Sequence, residues 1–180
     1  MIKIFLDDIK KAKENKAYLS AFALALTIPD ICGKEEFYKT GNMSSRDKYI
    51  AWFDEWVLKY LAIPKGDNKQ FNEYDDMVTF DGDACYALRC AFLHEGKKID
   101  YYHNKDKGIR IDRFELCICT GEFQYGESNG ASFSYGELKE TSRRINLIKL
   151  IEYIVMGAEK FLEQYNNDNN KYGTIKIIKF

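Results

Sequence analysis

The stretch that decides the fold is Asp83-Ala-Cys-Tyr-Ala-Leu-Arg-Cys-Ala-Phe-Leu-His94. Its apolar side chains recur at helical spacing and leave little polar surface, which is typical of a helix at the centre of a bundle. Such a helix should contain a guanidinium only where the charge has a partner or a chemical task, because an unpaired buried charge is very costly. Arg89 and His94 are therefore the residues from which a function is best predicted.

The N-terminal half and the region near the C-terminus predict further helices around this central one. Apolar spacing predicts a first helix from Ile2 to Leu26, which ends before Pro29, and a second helix that begins near Ser44. The residues from Asp30 to Met43 are predicted to form a loop. A long helix is predicted from Glu137 to Tyr165. The predicted fold class is mainly α.

The C-terminal third predicts a small antiparallel β-sheet. Alternation of apolar and polar residues predicts a strand from Ile111 to Thr120, and two further strands are predicted at Ala131–Tyr135 and Thr174–Phe180. We expect one domain over residues 1–180. Its predicted parts are a helical bundle at 1–96 and 136–165, a β-hairpin insertion at 110–135 and a C-terminal strand at 174–180.

Composition and charge narrow the class of protein. The 180 residues are 46% hydrophobic and 15% aromatic, enough for a substantial core, and the formal net charge of −1 supplies no global basic field for nucleic acid. The five cysteines include no C-x-x-C pair, so we expect reduced thiols and no metal site. Because neither a secretory signal nor a membrane-length apolar run is visible, we expect a cytoplasmic protein with no membrane contact. We also expect no cofactor.

The arginine, four residues, then histidine pattern from Arg89 to His94 resembles the motif of the HEPN superfamily. The resemblance implies a HEPN-like helical bundle and a metal-independent endoribonuclease of a prokaryotic defence or toxin-antitoxin system. Arg89 would hold the phosphoryl oxygens in a bidentate manner. His94 would transfer the proton, because the ordinary pKa of histidine is about 6.5. The resemblance also implies a homodimer in which two motifs face one cleft, with RNA and an antitoxin or another protein as partners.

A locally basic segment follows the motif. From Lys97 to Arg113 six cationic side chains oppose three aspartates, a net charge of +3, and residues 101–103 add two tyrosines and a histidine. Cations interleaved with aromatic rings are suited to contact phosphates and to stack on bases, although most such stretches are solvated loops. The predicted RNA-binding residues are Lys97, Lys98, Lys105, Lys107 and Arg110.

A structural role for the motif is the alternative. In active HEPN nucleases a polar residue, often asparagine, follows the arginine, and here that residue is Cys90. Arg89 would then be a buried arginine paired with a carboxylate of another helix, such as Asp54 or Glu55. On an ideal helix, residues five apart differ by about 140° in direction, so Arg89 and His94 do not share a face. A common site then requires that the helix distorts at Gly96, that the long arginine curls around, or that a second subunit completes the site. The alternative function is a catalytically inactive, HEPN-like dimeric interaction module.

Overall fold

The architecture comes from a computed structural model that describes residues 2–38, 42–61, 80–95, 102–104, 109–111, 113–118 and 142–168. Within these ranges the chain is mainly α-helical with a small β component, which confirms the predicted fold class. No helix in the described ranges has both the length and the apolar character needed to cross a membrane.

The elements of these ranges follow one another in chain order. They are α1 (Ile2–Glu14), α2 (Tyr18–Ala25), α3 (Ile28–Glu36), α4 (Ser45–Trp56), α5 (Leu58–Leu61), α6 (Gly82–Cys90), a π-helical turn (Ala91–Glu95), β1 (Tyr102–Asn104), β2 (Ile109–Ile111), β3 (Arg113–Cys117), β4 (Ser142–Asn146) and α7 (Leu147–Asp168).

The first predicted helix is two helices. Lys16 has a φ of 58°, which is left-handed, and the amide of Ala17 donates to the carbonyl of Ala12 at 2.8 Å. A residue in this conformation ends an α-helix, because a left-handed backbone cannot continue the hydrogen bonds of a right-handed helix. The chain therefore turns after Glu14 and starts α2 at Tyr18.

The loop predicted from Asp30 to Met43 is wrong over its first half, because Ile28–Glu36 forms helix α3. Pro29 lies in the first turn of this helix, where its missing N–H is not needed and its fixed φ favours the helical conformation. Pro29 thus follows the end of α2 at Ala25 and lies at the start of α3. As a consequence Asp30 is a helical residue that packs near the centre of the bundle.

Capping residues in the sequence predict two helix starts, one near Ser44 and one at either Asp81 or Asp83. The side chain of Ser44 accepts from the amide of Asp47 at 3.1 Å at the start of α4. Asp81, which is 1% exposed, accepts from the amide of Ala84 at 3.0 Å at the start of α6. Each contact satisfies a backbone donor that has no partner within its helix, a contribution of about 1 kcal/mol. The predicted second and third helices therefore begin where expected.

The core is built around α4. Its Tyr49, Trp52 and Phe53 are fully buried, and α3, α6 and α7 pack against them. Trp52 and Trp56 both meet the ring of Phe161 on α7 edge to face, with centroid distances of 6.1 and 5.6 Å. The aromatic face of α4 is therefore interior, and it fixes the positions of the neighbouring helices.

The sheet differs from the prediction. The strand predicted from Ile111 to Thr120 contains β3, but β3 pairs in parallel with β4, with Arg113 opposite Ser142 and Cys117 opposite Asn146. Parallel strands need a long connection, which the chain between β3 and β4 supplies. An antiparallel pair does occur, between β1 and β2, but it lies in the basic segment.

The predicted helix from Glu137 begins too early. Ser142–Asn146 is strand β4, and α7 starts only at Leu147. The side-chain oxygen of Asn146 accepts from the amides of Ile148 at 3.1 Å and Lys149 at 3.4 Å, which caps the new helix. Residues 137–141 and the predicted strands Ala131–Tyr135 and Thr174–Phe180 lie outside the described residues. The domain boundaries remain predictions.

Candidate functional site around Arg89

Arg89 lies in the last turn of α6 and has an acidic partner on another helix. Its Nη2 atom is 2.6 Å from Oδ2 of Asp30 on α3, and the two side chains are only 17% and 15% exposed. The sequence suggested Asp54 or Glu55 for this role. The partner is Asp30 because α3, which was not predicted, places this residue beside α6. Asp54 accepts a hydrogen bond from the amide of Gly82 at 2.7 Å.

Two tyrosine rings also contact the Arg89 guanidinium. Its central carbon lies 5.9 Å from the ring centroid of Tyr49 and 5.6 Å from that of Tyr86, a cation–π arrangement. The two rings themselves meet edge to face at 5.3 Å. Burial is the largest single effect and disfavours the charged guanidinium, but Asp30, Tyr49 and Cys90 together outweigh it, so the pKa of Arg89 is raised. The arginine is thus a fixed, charged group with a defined orientation.

Cys90 contacts this cluster. Its sulfur lies 4.0 Å from Nη1 of Arg89, at the long end of a sulfur contact, and its side chain is partly exposed. Burial raises the pKa of Tyr86, and the neighbouring Cys90 raises it further. A thiol is a weak hydrogen-bond donor and acceptor, so this contact stabilises the position of Arg89 much less than the ion pair with Asp30 does.

Beneath the cluster, Tyr49 and Cys85 form a buried polar pair. The tyrosine hydroxyl lies 3.4 Å from the sulfur, and both residues are fully buried. Burial raises the pKa of Cys85 to about 12 and raises that of Tyr49. Because the thiolate is the reactive form of cysteine, Cys85 is inert at neutral pH and serves packing.

A second arginine, which sequence reasoning missed, joins the cluster through Tyr86. Arg46 on α4 has its Nη2 atom 2.5 Å from Oδ1 of Asp83 and its central carbon 5.9 Å from the Tyr86 centroid. Each of the two guanidinium groups beside this ring is therefore paired with one aspartate. The spacing of Asp83 and Tyr86, three residues apart on one helix face, was the available sequence signal.

His94 lies in the π-helical turn that follows Arg89. The turn spans Ala91–Glu95, and its backbone hydrogen bonds join residues five apart instead of four. The helix therefore distorts from Ala91 onwards, and distortion is one of the three ways in which Arg89 and His94 were expected to form a common site. Phe92 in the turn packs edge to face on Phe22 at 5.0 Å. The described structure of His94 is limited to its backbone.

The predicted RNA-binding residues are only partly covered. Arg110 lies in β2, opposite His103 of β1, in the antiparallel pair. The described ranges do not include Lys97, Lys98, Lys105 and Lys107. Their contact with RNA remains a prediction.

Metal and thiol chemistry has few candidate groups in the described part of the chain. Those residues contain no group of three or more histidine, cysteine, aspartate or glutamate side chains that could hold a metal ion. The four cysteines described, Cys32, Cys85, Cys90 and Cys117, are free thiols. The chemistry of the site is therefore that of the arginine, its carboxylate and the aromatic rings.

No protein-family model, curated protein or solved structure matches this chain. Its own residues and contacts are therefore the basis for a functional proposal.

A second polar contact, at the C-terminal end of α3, makes the stability of the fold depend on pH. The Glu36 carboxylate accepts from Nε1 of Trp56 at 3.1 and 3.2 Å. Burial raises the pKa of Glu36, the bond to Trp56 opposes the rise, and Glu55 adds to it. Because the folded pKa is raised, this group adds stability at pH below its unfolded value of 4.5, and the gain is lost as pH rises through the folded pKa.

We therefore expect Glu36→Gln to raise the melting temperature at pH 7 and to lose this advantage as the pH falls towards 4.5. The amide keeps an acceptor for Trp56 and removes the charge. Thermal unfolding at several pH values measures the effect, and Glu14→Gln, an exposed site on α1, is the control. An equal gain at both ends of the pH range would contradict this assignment.

Proposed function

We propose that the chain is a catalytically inactive, HEPN-like module that acts by protein–protein contact, with Arg89 in a structural role. The ion pair between Arg89 and Asp30 carries this proposal. A phosphate group at the guanidinium would approach a carboxylate that already lies 2.6 Å from it, and the two anions would repel each other. Displacing Asp30 would leave a mostly buried carboxylate without its cation, which is costly.

The partly exposed face of α6 supports a second copy of the chain as the partner. Tyr86, Ala87 and Cys90 lie on this face, while Ala84 and Leu88 are buried on the other. The sequence around the helix is polarised. Residues 67–83 contain six acidic side chains against one lysine, a net charge of −5, whereas residues 97–113 have a net charge of +3.

This charge difference favours a dimer whose two-fold axis passes through the α6 contact. In antiparallel packing, the N-terminal end of each α6, which the acidic segment precedes in sequence, lies beside the C-terminal end of the other α6, which the basic segment follows. The small side chains of Ala87 and Cys90 let the helices approach closely. The proposed dimer is thus held by apolar contact at its centre and by opposite charge at both ends.

Sedimentation equilibrium tests the dimer. We expect the wild-type chain to be dimeric, the dimer to weaken as salt is raised, and Ala87→Arg to give monomers that still unfold cooperatively. Leu19→Arg is the matched control, because Leu19 is 58% exposed on α2. A wild-type monomer at all concentrations would overturn the proposal, and so would equal effects of the two substitutions. The salt dependence of the wild type tests it even if Ala87→Arg does not fold.

RNA cleavage is the second candidate function, and the π-helical turn favours it. Single π-helical turns are rare and occur frequently at functional sites. This turn begins two residues after Arg89 and contains His94, so it changes their relative direction from that of an ideal helix. In this reading the protein is a metal-independent endoribonuclease in which Arg89 holds phosphate and His94 transfers the proton. An antitoxin would then be the protein partner.

A cleavage assay in EDTA separates the two candidates. The first proposal expects no cleavage of RNA by the wild type. His94→Gln and His103→Gln are a matched pair, since the chain has only two histidines. Cleavage that is lost in His94→Gln and retained in His103→Gln would replace the first proposal with the second. Cleavage that survives His94→Gln would reject the Arg89–His94 site as its source.

A further inference from the structure

A stacked pair of tyrosines lies on the surface where α5 meets α7. The rings of Tyr60 and Tyr153 are nearly parallel, with 18° between their planes and 6.1 Å between their centroids. Both side chains are partly exposed. Met156, one turn further along α7, is 42% exposed. The pair is thus a partly open aromatic surface and not part of the sealed core.

Lysines surround this tyrosine pair. Nζ of Lys59 lies 5.4 Å from the Tyr60 centroid. Lys149 lies one turn before Tyr153 on α7 and Lys160 lies two turns after it, so these three residues share one face of the helix. Lys149 and Lys160 are eleven residues apart on α7, roughly 16 Å along the helix axis. The aromatic pair lies between them.

Two of the four acidic residues of α7 pair with lysines of α1. The Glu152 carboxylate lies 2.8 Å from Nζ of Lys13, and the Glu159 carboxylate lies 2.7 Å from Nζ of Lys10. Glu152 also pairs with Lys149 of the surface itself at 3.1 Å, and these two side chains are each 31% exposed. The pair of Lys160 with Glu163 is 2.9 Å long, but its side chains are 60% and 66% exposed. Such an exposed pair contributes little, so a stronger anion can replace the carboxylate.

We infer that this surface, formed by Tyr60, Tyr153, Lys59, Lys149 and Lys160, binds single-stranded RNA without sequence preference. Bases stack on the tyrosine rings, because every base has a π-face, and the lysines contact the phosphates on either side. The ligand is single-stranded, since the bases of a duplex are already stacked on each other. The site is independent of Arg89 and goes beyond the proposed dimer.

Fluorescence anisotropy with a labelled RNA oligonucleotide, single-stranded and as a duplex, tests this site. We expect the single strand to bind more tightly. Tyr153→Leu should weaken binding about tenfold, through the loss of stacking. The double change Lys149→Gln/Lys160→Gln should lower the slope of log K against log salt by about 1.4, since two phosphate contacts are lost. The control is Lys3→Gln/Lys16→Gln, which removes the same charge from two exposed residues, one in α1 and one just after it. It should change RNA affinity little.

Several results would overturn the inference. The first two are failure of the wild type to bind single-stranded RNA and binding of the duplex with equal affinity. Either result, or a loss of affinity in Lys3→Gln/Lys16→Gln equal to that in Lys149→Gln/Lys160→Gln, would contradict the proposed site. If Lys105→Gln/Lys107→Gln abolishes binding and the α7 changes do not, RNA binds the basic segment instead. Competition by an acidic peptide as effective as that by RNA would show that the surface selects acidic protein. Oligomeric state, measured separately, distinguishes these failures from failure of the proposed dimer.

Discussion

Arg89→Ala will lower the free energy of unfolding by about 3 kcal/mol or more, because it leaves the Asp30 carboxylate mostly buried without its cation. Asp30→Ala will have a similar cost, since it leaves the guanidinium without its carboxylate. The double change Arg89→Ala/Asp30→Ala will cost less than the sum of the two, because neither charge is then left behind. We expect a coupling energy of about 1–3 kcal/mol from this cycle.

Denaturant unfolding of the four proteins gives this coupling energy. Lys160→Ala/Glu163→Ala is the matched cycle, because that ion pair is similar in length and mostly exposed, and its coupling should stay below about 1 kcal/mol. Additive effects at Arg89 and Asp30 would contradict the structural role of the arginine. The guanidinium would then be available to a phosphate, and the endoribonuclease would become the better candidate.

Gly33→Ala will destabilise the protein by about 3 kcal/mol, although alanine is normally the better helix former. A Cβ atom at Gly33 would lie 2.5 Å from the carbonyl oxygen of Lys48 and 2.9 Å from its carbonyl carbon. Both are backbone atoms of α4, so they cannot move aside as a flexible side chain would. Helices α3 and α4 must therefore separate.

Chemical denaturation measures this loss, and Lys34→Ala is the control. Lys34 is the next residue of α3 and is exposed, so its replacement should be nearly neutral. Since α3 also carries Asp30, we expect the coupling between Arg89 and Asp30 to fall when Gly33→Ala is present. A stabilising effect of Gly33→Ala, as expected for a glycine in an open helix, would mean that α3 and α4 do not pack closely.

The features predicted correctly from sequence depend on nearby residues. The starts of α4 and α6 follow from Ser44 and Asp81, whose side chains bond to amides three residues ahead. The helix that contains Arg89 follows from its apolar spacing. The sequence also indicated that Arg89 needs a partner, because burial of the helix makes an unpaired charge too costly.

The features that were missed depend on contacts between distant parts of the chain. Helix α3 was hidden because Pro29 ends one helix and starts the next. Strand β4 was assigned to a helix because the sequence up to Asn146 has no strong strand pattern and its partner, β3, lies far away in the sequence. The antiparallel prediction failed for the same reason, since pairing direction depends on the path of the connection.

The sequence alone therefore determined a mainly helical chain, an apolar helix with one arginine, and the need for a partner or a chemical task for that charge. It did not determine which helix is central, and this is α4 and not α6. Only the tertiary structure decided that the carboxylate is Asp30, that Tyr49 and Tyr86 flank the guanidinium, and that the helix widens into a π-helical turn before His94. Helix formation and capping are set within a few residues, and their signals are visible in order along the chain. The partner of a buried charge is set by which helices pack together, and that depends on the whole core.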